Sequence, residues 1–274
     1  MPKTPVDSHL LAGLDHSLPC CPALTAFKKI ASLLLLLGFF SLVLAMQDEM
    51  NAQTYLARGV NYAREGNMEK ALQDYNQAIE LDPALANAYF SRGVLYDDQG
   101  NLGQALEDYG ATIRLDGSNV AAFFNRGLIF FTQQKFAEAL ADYNRALQVN
   151  PAYADAYYNR AILYRRQGDL RQALLDYELV LRLNPQYWPA YFNRGSILLG
   201  QGKLEPALAD FNMVISSLDM KKPEASLFIA YVKRGTIHKS QGNLAEAVED
   251  FSTFVKYFPN PNLEREIANL KSQM

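Results

Sequence analysis

The chain has 274 residues, of which 49% are hydrophobic and 20% charged, with a formal net charge of -3. That apolar share is too high for a disordered chain and too low for a multi-span membrane protein. The charge excludes an electrostatic nucleic-acid binder.

Chemistry-bearing residues are scarce. The only cysteines are the adjacent Cys20 and Cys21, which excludes a disulfide framework and a cysteine-based zinc site. Only His238 among the histidines lies beyond residue 16, so no multi-histidine metal site is expected in the main body. No GxSxG, Walker loop or HExxH occurs. Nothing points to a catalytic residue, a metal or a cofactor, and the acids are expected on solvated faces or caps.

In chain order, residues 1–29 read as an unpatterned leader with Pro2, Pro5, Pro19 and Pro22. Cys20 and Cys21 read as idle thiols there, with lipidation the alternative. Lys28 and Lys29 then precede an uncharged run, Ile30 to Met46. At 17 residues it stands between a spanning helix and a signal-peptide core. The leading expectation is a retained transmembrane anchor over 30–46. Lys28–Lys29 on one side and Asp48–Glu49 on the other predict an N-terminus in the cytoplasm and the rest of the chain across the membrane. One alternative is cleavage after Ala45, leaving a secreted or periplasmic protein. The other is a start at Met46 or Met50.

The remainder is one unit repeated. Gly59, Gly93, Gly127, Ala161 and Gly195 recur at a fixed spacing, each followed three residues on by Tyr62, Tyr96, Phe130, Tyr164 and Leu198. Ala71, Ala105, Ala139, Ala173 and Ala207 keep the same period, as do Tyr75, Tyr109, Tyr143, Tyr177 and Phe211. A displaced sixth copy carries Gly235, His238, Ala247 and Phe251. Tyr55, Gly59 and Tyr62 share a face at i, i+4, i+7, and so do Ala71, Tyr75 and Ala78. Each unit therefore reads as two helices, broken at Gly66, Gly100, Gly168, Gly202 and Gly242 and closed by Pro83, Pro151, Pro185 and Pro259. Small residues let the paired helices approach, and large aromatics fill the gaps beside them.

This pattern resembles the tetratricopeptide repeat family. The resemblance covers residues 52–261 in six units, 52–85, 86–119, 120–153, 154–187, 188–221 and 228–261. It implies an all-α, right-handed α-solenoid with a concave groove lined by the first helices. Residues 262–274 fit a capping helix, with Ile267 and Leu270 covering the last repeat. Residues 222–227 read as an insertion, either an exposed loop or an extended second helix. Gln134 stands where the other breaks have glycine, and His238 where most first helices have an aromatic.

The resemblance also implies where a partner binds. Groove-lining positions of the family carry Phe90, Val94, Phe124, Asn125, Leu128, Tyr158, Asn159, Ile162, Phe192 and Asn193 here. Asn125, Asn159 and Asn193 occupy one helical position in successive repeats. An amide both donates and accepts, so such a row suits the backbone of an extended ligand, with the aromatics as apolar anchors. The competing reading is that these residues support packing between repeats. No repeat has the lysine at position 5 or asparagine at position 9 of the family's carboxylate clamp, so an acidic chaperone tail is not the expected ligand. The expected function is a membrane-tethered scaffold for a partner protein or extended peptide. An assembly factor or holdase, or a non-catalytic regulatory subunit, is the alternative. Nucleic acid is not an expected partner.

One more pattern is internal. Arg58, Arg92, Arg126, Arg160, Arg194 and Arg234 hold position 7 of the six units, and Asp74, Asp108, Asp142, Asp176, Asp210 and Asp250 hold position 23. An arginine beside the core stripe needs acceptors, so Arg–Asp contacts are expected within or between repeats.

Overall fold

The computed structural model describes residues 51–218 and 224–274. The leader, the apolar run 30–46 and residues 219–223 lie outside the described residues, and with them the expected anchor and the first two residues of the insertion. The described residues form thirteen α-helices and no strand. They are α1 (Ala52–Arg64), α2 (Met68–Leu81), α3 (Ala86–Asp98), α4 (Leu102–Leu115), α5 (Val120–Thr132), α6 (Phe136–Val149) and α7 (Ala154–Gln167). There follow α8 (Leu170–Leu183), α9 (Trp188–Gly200), α10 (Leu204–Ser216), α11 (Ala225–Ser240), α12 (Leu244–Tyr257) and α13 (Pro261–Lys271). Consecutive helices pack as six hairpins, each against the next, giving the expected solenoid. None of these helices is long and apolar enough to cross a membrane.

The breaks form for local reasons. Gly66, Gly100, Gly168, Gly202 and Gly242 all adopt positive φ, which satisfies the last carbonyls of each first helix. Gln134 takes the same conformation at φ 60°, where a side chain is strained. Each of the first four second helices stops at an extended Asp82, Asp116, Asn150 or Asn184. The side chain of that residue accepts from the backbone N–H two residues on, at 2.9–3.0 Å, forming the turn in which the following proline or Gly117 sits.

Close approach explains the small residues. A Cβ on Gly59 would lie 2.7 Å from the Tyr75 ring, and one on Gly127 2.8 Å from Tyr143. The opposing Tyr109, Tyr143, Tyr177 and Phe211 are fully buried. Truncating a core aromatic of this size typically costs about 3–5 kcal/mol.

Two boundaries differ from the expectation. The extended-helix reading of the insertion fails, because α10 stops at Ser216, with Ser217 as its cap. The sixth unit instead lengthens its first helix, which begins at Ala225 rather than 228. The cap forms as expected from Pro261, with Leu270 buried against Ala247 and Phe251, and Lys239 paired with Glu266.

Candidate functional site

Each first helix presents two different faces. One face carries the arginine. In all six repeats its Nε and Nη2 donate to both oxygens of the aspartate sixteen residues later, at 2.7–2.9 Å and 2.6–2.7 Å. The pairs lie within repeats. The aspartates are only 2–5% exposed, so the expectation that the acids occupy solvated faces fails for these six. The Cβ of each of Asp74, Asp108, Asp142, Asp210 and Asp250 packs against the glycine of the first helix, beside the arginine that bonds its carboxylate. The bonds it donates to Asp108 hold the Arg92 guanidinium above its ordinary pKa, and those to Asp250 do the same for Arg234.

A second set of partners alternates. Nη1 of Arg92, Arg160 and Arg234 donates to Asn76, Asn144 and Asn212 of the preceding repeat, at 2.6–2.7 Å. The corresponding residues before Arg126 and Arg194 are Gly110 and Glu178, and no such bond forms there among the described residues. The sequence reading missed these asparagines, although their appearance in every second repeat was visible. Rings complete the arrangement. Arg58, Arg92 and Arg160 each lie between two tyrosines, one three residues before and one four after, at 5.2–6.0 Å from the centroids.

The other face carries the expected binding row. Phe90, Val94, Phe124, Asn125, Leu128, Tyr158, Asn159, Ile162, Phe192 and Asn193 are all half-buried. The aromatics lean on the second helix of their own repeat: Phe90 on Tyr109, Phe124 on Tyr143, Tyr158 on Tyr177 and Phe192 on Phe211, at 5.9–6.1 Å. Phe124 and Tyr158 also meet Tyr153 and Tyr187 at 5.1 and 5.0 Å. Their inner edges are thus core, and only their outer edges are open.

The asparagines are less free than expected. Nδ2 of Asn125 donates to the Tyr109 hydroxyl at 3.4 Å, and that of Asn193 to the Tyr158 hydroxyl at 3.0 Å. Nδ2 of Asn159 donates to the Asp155 carbonyl at 2.9 Å. Each amide spends one of its two N–H donors internally, which leaves its carbonyl oxygen and the second N–H without an internal partner among these bonds. Beside Asn125, burial raises the pKa of Asp97, whose carboxylate accepts from the Tyr109 hydroxyl. Among the described residues no group of three or more His, Cys, Asp or Glu side chains could hold a metal ion.

Models of the TPR repeat match residues 59–100 and 127–168, and models of the tetratricopeptide repeat match 86–119, 154–187 and 229–261. The chain belongs to the tetratricopeptide repeat family. Among solved structures it is similar to MamA, at 25% identity and TM-score 0.54 over 58% of this chain and 92% of that one. It is similar to PilF of Pseudomonas aeruginosa at 19% identity and TM-score 0.65, over 80% and 96% of the two chains. YrrB, described as a TPR protein with an unusual peptide-binding site, is 22% identical with TM-score 0.60, over 71% and 97%. No curated protein sequence matches the chain.

Proposed function

We propose that the chain is a non-catalytic scaffold that holds an extended segment of a partner protein in the groove formed by its first helices. The observation that supports this reading is the row of half-buried aromatic edges and asparagine carbonyls through repeats two to five. Amide carbonyls accept, so the ligand contributes backbone N–H groups, and its apolar side chains pack on Phe90, Phe124, Tyr158 and Phe192. Successive packed helices lie roughly 8–10 Å apart, and an extended chain advances about 3.3 Å per residue, so each repeat addresses about every third ligand residue. The repeats are tethered through 30–46 and stand across the membrane from Lys28 and Lys29, a reading supported by the charges flanking that run.

Affinity capture with the full-length chain, followed by quantification of the captured proteins, tests the groove. Asn159→Ala is expected to weaken capture severalfold with the melting transition unchanged, since Asn159 bonds only to its own helix. Phe124→Ala is expected to weaken it further and to cost about 1–2 kcal/mol, because its ring also packs on Tyr143 and Tyr153. Unaltered capture in both variants contradicts the groove reading.

A further inference from the structure

The fifth repeat breaks the pattern around its arginine in a way that opens a site. In repeats one to four the guanidinium lies 5.8–6.0 Å from the ring four residues on, Tyr62, Tyr96, Phe130 or Tyr164. In repeat five that residue is Leu198, and Arg194 keeps only Tyr191, on the other side at 5.6 Å. Its Nη1 also lacks the asparagine of the preceding repeat, because Glu178 stands there and accepts instead from Arg182 at 3.0 Å. Where the ring is missing, a cleft of about 530 Å³ opens between α8, α9 and α10. Leu174, Leu175, Leu198 and Pro206 line it with apolar surface, Arg171, Arg194 and Lys203 with positive charge, and Glu178 and Gln201 complete the lining.

The lining specifies an occupant. A flat π-face four residues on is what this guanidinium meets in repeats one to four, and an arginine with one bare face and apolar walls favours the same from outside. The charge is unbalanced. Asp210 pairs with Arg194 and Arg182 with Glu178, while Arg171 and Lys203 have no ion pair among the described residues. Leu175 is 47% exposed, so the apolar wall is open to a partner. At about 100° per residue, Arg194 and Leu198 lie nearly opposite Phe192, Asn193 and Ser196 on α9, so the cleft is separate from the groove.

We infer that this cleft is a second protein-docking site, taking one aromatic side chain flanked by carboxylates from a partner segment. The ring enters over Arg194 in place of the missing aromatic, and the flanking acids meet Arg171 and Lys203. This site does not depend on the groove reading. The test is titration of full-length protein in detergent with a capped peptide in which one phenylalanine is flanked by two aspartates on each side. Saturable binding is expected, at least about tenfold weaker for peptides with alanine for the phenylalanine or lysines for the aspartates. Leu198→Tyr restores the ring of the first four repeats and is expected to abolish binding without loss of melting temperature. Lys203→Glu, at an exposed position, is expected to weaken it severalfold, and Phe124→Ala to leave it unchanged. No saturable binding to the wild type, or equal binding by Leu198→Tyr, overturns the inference. Loss in Phe124→Ala with retention in Leu198→Tyr also overturns it, and places the peptide in the groove.

Discussion

The two faces of the first helices differ in how closely the six repeats agree. On one face the arginine and its buried aspartate are the same in every copy, with the same two hydrogen bonds. On the other face position 5 runs Leu56, Phe90, Phe124, Tyr158, Phe192 and Val232, and the asparagine appears in only three consecutive repeats. A contact that every hairpin needs must recur in every hairpin, because each repeat touches only its neighbours. A residue set confined to the middle repeats is not required by the hairpin. Uniformity therefore marks what holds the solenoid together, and under the proposed function local variation marks what a ligand reads.

The strongest way to break this comparison is at the ion pair. Arg126→Leu leaves Asp142, 5% exposed, as an uncompensated buried carboxylate. Its expected cost is about 3 kcal/mol or more. Asp142→Leu leaves an arginine whose side chain is 24% exposed and can turn to water, so a smaller loss is expected. The double change to leucine should lie well below the sum of the two. Denaturant melts read all three. Additive losses would show that the pair is not coupled and that uniformity here has another cause.

A smaller effect sharpens the same comparison at the turns. Five breaks use glycine at positive φ, and the third uses Gln134. Gln134→Gly is expected to stabilise the protein by about 0.5–1 kcal/mol, the relief of left-handed strain less the entropy glycine adds to the unfolded chain. A loss of stability would show that the Gln134 side chain contributes something the backbone does not reveal.

The uniform face was legible in the sequence and the variable face only in part. A period kept by glycine, alanine, tyrosine and proline positions in phase leaves one arrangement of helices. An arginine and an aspartate repeated six times at fixed positions announce their contact. The asparagine row was legible as positions but not as chemistry, because one N–H of each amide turns to Tyr109, Tyr158 or a local carbonyl. Those partners depend on rotamers that no spacing encodes. The bridges from Asn76, Asn144 and Asn212 join position 25 of one repeat to position 7 of the next, a pairing that appears only once repeats are stacked. The cleft beside Arg194 was present in the sequence as one leucine among aromatics. Its meaning needed the ring geometry of the other repeats.

The central claim is that partners are read by the variable face in the middle repeats. A photoreactive phenylalanine analogue placed at position 124 or at position 130, both half-buried on α5, tests this most directly. Position 124 lies among the aromatics beside the asparagine row, and position 130 lies over Arg126. Irradiation of the full-length protein in cells is predicted to give a discrete crosslinked species from position 124 and none from position 130. Crosslinks from position 130 alone, or equal crosslinks from both, would contradict the account.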